Sequence, residues 1–444
     1  MLAIGLMSGT SMDGIDAALL ELKDDGTLVS GLGHVSLDYD TETKFLLKAL
    51  EYSVRTAKAD LISARVQFKH DLHDYLANHL NLNAQETISN LTSYLHSKDA
   101  LLTFDGVIRY STDLHIVCVK QLLQKTGHQA QNITIIGYHG QTVYHRPADG
   151  ITLSLGNPQH MADQLGIDVI HDFRREDVLA GGQGAPFAPL YHHALACHNN
   201  TIPIGIINCG GISNVTLIPN QDESDMIAFD TGPGNGLIDL LVRQRTHGAE
   251  SMDRDGAYGQ QGVVNEEALT ALYTTSLMKS GQNYLLQAPP KSLDINDMRL
   301  VLEIAALNIN DACATLETFT AITIVDGIRS ISPVIQLPKR WILCGGGWKN
   351  PVIHGVFKNE LRTHLGDDIC VQTADDAGWN GQAIEAQIFA YLAARSLLGK
   401  PLSLPNTTGV PRPLTGGTCY KTKALARKCP HIHTICYNEK NYPI

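Results

Sequence analysis

The octapeptide AFDTGPGN puts Asp230 at the end of an apolar stretch, ahead of a turn of Thr231, Gly232, Pro233 and Gly234. A carboxylate at a strand end, beside a helix that begins near Asn235, is suited to taking a proton from a nucleophile. An N-cap or turn aspartate is the commoner use of such a residue, and the glycine-rich turn favours catalysis. Two other stretches offer small residues and free backbone N–H groups: SGTSMDG (Ser8–Gly14) and NCGGISN (Asn208–Asn214). Neither is a GxxxxGK[ST] loop, but turn backbones of this kind bind anions without a lysine. Each alone is explained equally well as a tight hairpin. Two of them, one opening each half of the chain, point to phosphate, through Gly9 in the first and Gly210 and Gly211 in the second. CGGGWKN places Gly345, Gly346 and Gly347 between an apolar strand and a helix, where a flat ring or phosphate can reach the backbone; this suits adenosine. In HDFRREDVLAGGQGAP, Arg174 or Arg175 could clamp a carboxylate or phosphate, with a solvated charged loop as the plain alternative. HGQTVYH offers polar groups, His139 first, after a strand end, where α/β proteins bind ligands. The chemistry these residues fit is phosphoryl transfer, in which the protein positions groups and one carboxylate orients the nucleophile.

The elements that must hold these residues follow from periodicity. Residues 2–7 and 15–22 read as a hairpin, and 58–82 as a helix on Leu61, Ile62, Val66, Phe68, Leu72, Tyr75, Leu76 and Leu80. Residues 83–112 are polar and irregular and read as an insertion or loop; 113–126 reads as a helix. A strand running into a polar turn follows over 133–145, then strand, turn, helix, strand over 151–173. The same grammar recurs over 202–219 (strand, glycine turn, strand), 226–244 (strand, turn, helix) and 340–361 (strand, triple glycine, helix). This alternation is α/β. Two halves that each begin with a phosphate-type hairpin describe the two-domain actin/hexokinase type of sugar kinase, ribonuclease H-like, with a central ATP and substrate cleft. The expected division is an N-terminal domain over 1–200, a second over 201–400 with Asp230 and the nucleotide turns, and a C-terminal segment over 401–444.

Composition narrows the class. The chain has 444 residues, 43% of them hydrophobic and 18% charged, with a formal net charge of −11. That length suits two domains, and the acidic balance argues against nucleic acid and against an electrostatic membrane anchor. No export signal or run of 18 apolar residues appears, and the nine cysteines sit mostly in apolar segments, so a reduced, cytoplasmic protein is expected. Cys419, Cys429, His431, His433 and Cys436 crowd the tail, but their spacing fits no standard zinc finger and no metal site is expected there; the tail 418–444 is expected to be poorly ordered.

Taken together, GLMSGTSMDGIDAAL, GYHGQTVYHRP, DFRREDVLAGGQGAP, NCGGISNVT, AFDTGPGN, PPKSLD, CGGGWKNP, IEAQIFAYLA and TTGVPRPLTGG resemble the anhydro-N-acetylmuramic acid kinase family. The resemblance covers residues 2–22 and most of 132–417; residues 30–115 show little of it. It implies a cytoplasmic, homodimeric enzyme that uses ATP and Mg²⁺. Water opens the 1,6-anhydro bridge of 1,6-anhydro-N-acetylmuramic acid, a product of peptidoglycan turnover, as O6 is phosphorylated, giving N-acetylmuramic acid 6-phosphate. It maps the ATP loop onto Gly9, Thr10, Ser11, Met12, Asp13, Gly14, Ile15 and Asp16, the base onto Asp230, and a sugar-binding glutamate onto Glu385. Glu385 stands among apolar helix neighbours, so it is expected to be a buried charge in need of a ligand. With it, His139, Arg174, Arg175 and Asn235 form the expected substrate set, either arginine being able to meet the lactyl carboxylate. Departures are Cys209 where the family usually has isoleucine, Ile295 where arginine commonly follows PKSLD, and Glu176 in place of arginine. Two rivals stand beside this reading: a kinase for another anhydrosugar such as levoglucosan, and a non-catalytic sugar or nucleotide sensor, against which the intact Asp230 argues.

Overall fold

The computed structural model describes residues 1–9, 12–80, 82–275, 277–279, 281, 283–293, 298–331 and 335–422. Thr10, Ser11, Ile295, Cys429, His431, His433 and Cys436 lie outside them.

The first half starts with β1 (Leu2–Met7), β2 (Gly14–Leu22) and β3 (Leu28–Asp38), then four helices: α1 (Thr41–Thr56), α2 (Leu61–Asp74), α3 (Ala84–His96) and α4 (Phe104–Thr126). Next come β4 (Ile135–Tyr138), β5 (Gln141–Arg146), β6 (Ile151–Leu155), α5 (Pro158–Leu165), β7 (Val169–His171), α6 (Arg175–Leu179) and α7 (Ala188–His198). The second half runs β8 (Ile204–Cys209), β9 (Ile212–Ile218), β10 (Ile227–Pro233), α8 (Gly236–Arg245), α9 (Glu266–Thr274), α10 (Leu302–Ala306), α11 (Ile309–Ile331), β11 (Arg340–Cys344), α12 (Pro351–Leu365) and β12 (Cys370–Thr373). It ends with α13 (Ile384–Leu397), α14 (Pro405–Thr408) and β13 (Thr418–Tyr420).

The two main sheets share one topology. The first is ordered β13-β7-β4-β1-β2-β3 and the second β10-β9-β8-β11-β12. In each, a three-stranded antiparallel meander is followed by strands that pair in parallel with its first strand: β4 with β1, and β11 with β8. This duplicated arrangement is the two-domain actin/hexokinase-like fold expected from the paired hairpins. Both faces of each sheet are covered, so the central strands read as near-continuous apolar runs. Alternate residues go to different cores: Ile207 and Cys209 face α11, whereas Ile204 and Ile206 join a core shared with α7 and α13.

That shared core also takes Ala3, Leu20 and Ile135 from the first sheet, so α7 and α13 lie between the two halves. α13 sits directly on β1 and β4 because both strands present glycine. A Cβ on Gly5 would stand 1.8 Å from the Ala386 carbonyl oxygen, and one on Gly137 2.0 Å from that of Phe389.

Two expectations need correction. Residues 83–112 are not irregular. Asn83 caps α3, accepting the Glu86 N–H at 3.3 Å, and Thr103 caps α4, accepting the Gly106 N–H at 3.1 Å. Nor does the chain leave the fold at 418: Thr418–Tyr420 pairs antiparallel with β7, which places Cys419 in an edge strand.

Candidate functional site

Asp230 pairs with Asn214 across β10 and β9, and the register then shifts before Gly232. Thr231, Gly232 and Pro233 continue β10 instead of forming the expected turn, so Asp230 lies inside the strand, where a bulge of this kind bends the backbone and re-aims side chains. The carboxylate is 7% exposed. Its Oδ2 accepts the Leu293 N–H at 2.7 Å, its backbone N–H donates to the Lys291 carbonyl at 3.0 Å, and its carbonyl accepts the Tyr284 hydroxyl at 2.6 Å. Burial pushes the carboxyl up to about 7, against the Leu293 hydrogen bond and the charges of Arg174 and Lys291. It is therefore poised near neutrality, as a general base should be.

Two cations flank it. Lys291 is 8% exposed; its ammonium donates to the Tyr284 carbonyl at 3.2 Å and lies 4.5 Å from the centre of that ring. Burial lowers it to about 8, with Asp230 acting in the other direction. Arg174 is half-buried. Its Nη1 donates to the Gly184 carbonyl at 2.6 Å, and its Nε and Nη2 lie 3.4 and 3.3 Å from His139 Nε2. Burial lowers Arg174 to about 10, while Asp177, Asp230 and Glu385 raise it. His139 is held well below its usual range, by burial first and by the Arg174 charge, so it stays neutral and accepts from the guanidinium.

Glu385 occupies the first turn of α13. It is exposed, not the buried charge the sequence suggests, because that turn opens at the helix end. Protein nonetheless crowds the carboxylate and raises its pKa, as does the charge of Asp16, while Arg174 lowers it. Asp16, half-buried on β2, accepts the Ser36 hydroxyl at 2.5 Å. Desolvation raises it, opposed by that hydrogen bond and by His34. The structure thus brings Asp16, Glu385, Arg174, His139 and Asp230 into one electrostatically linked set drawn from both sheets.

The glycine turns border this set. In the first, Ser8 Oγ donates to the Gly140 carbonyl at 3.2 Å and Gln141 Nε2 to the Gly9 carbonyl at 3.1 Å. In the second, Gly234 N and Gly236 N each donate to the Gly211 carbonyl at 3.0 Å, and Asn235 N to that of Gly210 at 2.7 Å. The triple-glycine turn packs on this hairpin: a Cβ on Gly347 would stand 2.4 Å from Cys209 Sγ. A Cβ on Gly211 or Gly346 would have no neighbour within 4 Å, so both face open space.

Other expected residues turn elsewhere. The Arg175 guanidinium is 3.8 Å from Asp172, and Asp13 is 3.5 Å from Lys44 on the surface. The side chains of Met12 and Ile15 are each 1% exposed and belong to the first core. Sequence reasoning did not single out Lys291, Tyr284, Leu293 or Gln141. The PPKSLD motif carries two of them and was the available signal.

The comparisons with known proteins bear on this geometry. A family model described as anhydro-N-acetylmuramic acid kinase matches residues 85–422. The match includes residues 85–112, a stretch in which the motifs alone showed little resemblance. Proteins named anhydro-N-acetylmuramic acid kinase from Nitrobacter winogradskyi and Zymomonas mobilis are each 37% identical, over 94% of this chain and 98% and 99% of theirs. A solved structure of a ROK family glucokinase from Streptomyces griseus, in complex with glucose and AMPPNP, aligns over 89% of this chain and 100% of that one. Its 12% identity and TM-score of 0.36 carry no further weight.

Proposed function

The chain belongs to the anhydro-N-acetylmuramic acid kinase family, and on that footing we propose that it opens the 1,6-anhydro ring of 1,6-anhydro-N-acetylmuramic acid and phosphorylates O6 from ATP. It is a kinase, a phosphotransferase with an alcohol acceptor, and a part in cell-wall recycling is consistent with the relatives' names. The observation that carries the mechanism is Asp230: a carboxylate fixed at one oxygen by Leu293 N–H, raised to about 7, beside Arg174 and the glycine turns.

In this reading Asp230 takes a proton from water as its oxygen bonds the anomeric carbon. The C1–O6 bond breaks, O6 bonds the γ-phosphorus, and the bond from that phosphorus to the β-phosphate oxygen breaks, releasing ADP. Coupling the steps avoids a free alkoxide. Gly9, Gly210 and Gly211 cradle the phosphates, Met12 and Ile15 anchor the first turn in the core, and Gly345 to Gly347 take the adenosine. The charge of Arg174 suits the lactyl carboxylate, while Glu385, Asn235 and His139 border the sugar. Arg175, engaged with Asp172, takes the outer position. Mg²⁺ arrives with ATP, and the half-buried carboxylate of Asp16 is a fitting hard-oxygen ligand for it.

We further propose the domain division at about 200 and 400, with α13 as the wall both halves share, a second copy of the chain as its partner, and the cytoplasm as its compartment. The last is supported by seven unpaired cysteines among the described residues. Among them, no helix is long and apolar enough to cross a membrane. The test is ADP release with ATP, Mg²⁺ and 1,6-anhydro-N-acetylmuramic acid, beside levoglucosan and N-acetylmuramic acid. Turnover with the first sugar alone, lost in Asp230→Asn, supports the reading. Turnover with levoglucosan instead moves the substrate, and binding without turnover makes the protein a sensor.

A further inference from the structure

A second carboxyl cluster lies outside the site. Glu317, in the middle of α11, is fully buried, and Asp253, on the loop after α8, is 7% exposed. Asp253 is surrounded by donors: Tyr258 N–H reaches its Oδ1 at 2.9 Å and Gly259 N–H its Oδ2 at 3.0 Å. Both of its oxygens accept. Glu317 is arranged differently. Its Oε1 accepts Asn350 Nδ2 at 2.6 Å, but no N–H or hydroxyl donates to its Oε2. Besides Asn350, Asp253 is the side chain that hydrogen-bonds Glu317, both carboxyls meeting at Gly259, so this oxygen is satisfied only if Glu317 carries a proton and donates it there. Gly259 leaves the room for this contact: a Cβ there would stand 1.7 Å from Glu317 Oε2.

What the pair holds gives it a role. Asn350 Oδ1 accepts the N–H groups of Val352 and Ile353 at 2.9 and 3.3 Å, capping α12. Its own N–H donates to the Gly347 carbonyl at 3.0 Å. One residue therefore ties the triple-glycine turn, the helix that follows it and Glu317 together. Gly256, on the Asp253 loop, completes the contact, since a Cβ there would lie 2.8 Å from Asn350 Oδ1.

We propose that Asp253 and Glu317 form a proton-sharing pair whose function, through Asn350, is to position the Gly345–Gly347 turn for the nucleotide. Both are positioning residues, and the proposal rests on the reading of that turn as the adenosine site. Burial, the hydrogen bond to Asp253 and its charge push Glu317 up to about 8, while Asn350 lowers it. Among the described residues, neither carboxyl of the pair makes an ion pair. The loop brings Asp253 and Tyr258, α11 itself Cys313, the cap of α12 the neutral Asn350, and α8 brings Asp239, whose companion Arg243 acts on it. Ionising Glu317 sets two carboxylates side by side and loosens the turn.

The test compares wild type with Glu317→Gln, which keeps a donor but cannot ionise, and with Glu317→Ala. KM for ATP and for the sugar are measured from about pH 6 to about pH 9.5. Wild type should show KM for ATP rising several-fold above about pH 8, with KM for the sugar changing less than twofold. Glu317→Gln should abolish that rise, and Glu317→Ala should raise KM for ATP about tenfold at every pH. A flat wild-type profile, or the same alkaline rise in Glu317→Gln, overturns the proposal. If Glu317→Ala does not fold, the Glu317→Gln profile decides. If no sugar is turned over, melting and ATP binding are followed across the same range. An alkaline loss of both in wild type but not in Glu317→Gln supports the pair while the catalytic reading fails, and parallel curves overturn it.

Discussion

The two sheets repeat one topology but hold their glycine turns by different means. In the first, side chains make the reach to the neighbouring turn: Ser8 and Gln141 tie the β1–β2 turn to the β4–β5 turn, beside a backbone bond inside the turn from Met12 N–H to the Gly9 carbonyl. In the second, backbone makes the reach: three amides after β10 close on Gly210 and Gly211, with Thr320 Oγ1 adding a side-chain bond to the Gly234 carbonyl, and the triple-glycine turn packs against Cys209. A side-chain tether can be cut by one truncation and leave the backbone path intact. A backbone contact cannot be cut without moving the chain, and a Cβ added at Gly234 strikes the Gly210 carbonyl. Each sheet carries a carboxylate raised by burial, Asp230 on the third strand of the second and Asp16 on the second strand of the first. The proposed base thus stands on the sheet whose glycine turn is closed by backbone amides.

Replacing Asp230 should separate the halves most sharply. Asp230→Asn should lower kcat by about 10²–10⁴-fold with binding of ATP largely kept, as measured by steady-state kinetics and calorimetry. The variant should also melt higher at about pH 8. The carboxyl is raised by burial to about 7, so its contribution to stability is present below its unfolded value and lost as pH rises through 7. Asparagine removes that loss. Next in size is Gly234→Ala, whose Cβ would stand 2.1 Å from the Gly210 carbonyl oxygen. It should cost about 1–3 kcal/mol in thermal unfolding. KM for ATP should rise about tenfold or more. A neutral outcome would show that the second turn is as adaptable as the first.

The pH dependence sharpens the same contrast. With Asp230 near 7 and Lys291 near 8, kcat/KM should climb through about 7 as the base ionises and fall as the lysine loses its charge. Lys291→Met removes a charge that favours ionised Asp230, so the acid limb should move to higher pH and the activity at pH 7 should drop. An acid limb that stays in place would detach Lys291 from the base.

Much of this was readable beforehand because strand period, glycine turns and a strand-end aspartate are local signals. Gly9, Gly210 and Gly345 follow strand ends as their spacing placed them, whereas Asp230 lies inside β10 at its bulge, because Thr231 to Pro233 continue the strand. What escaped was set by tertiary contact. Glu385 has apolar neighbours in sequence, yet the start of α13 opens it to solvent. Arg174 and Arg175 are adjacent and equivalent on paper, and only the fold sends one toward Asp230 and the other toward Asp172. Lys291 and Tyr284 reach Asp230 from more than fifty residues away in sequence, a juxtaposition that no local pattern encodes. The helices over 83–112 are a different kind of miss: Asn83 with Glu86, and Thr103, are capping signals, and Leu91 with Leu95 is a helical spacing.

The smallest expected effect tests the side-chain tether itself. Gln141 is 3% exposed, donates through Nε2 to the Gly9 carbonyl, and has no hydrogen bond at its Oε1. Gln141→Ala removes the donor but leaves Ser8 in place, so the β1–β2 turn keeps one of its two side-chain ties. The cost should be about 1 kcal/mol in thermal unfolding, the worth of one net hydrogen bond. KM for ATP should rise only a few-fold, with kcat nearly unchanged, because the loop's backbone path survives. Gln141→Glu keeps the shape but loses the donor and buries a charge, so it should do more harm than alanine. If Gln141→Ala instead equals Gly234→Ala in its effect on KM, the two turns are equally rigid, and the difference between side-chain and backbone tethers has no functional consequence.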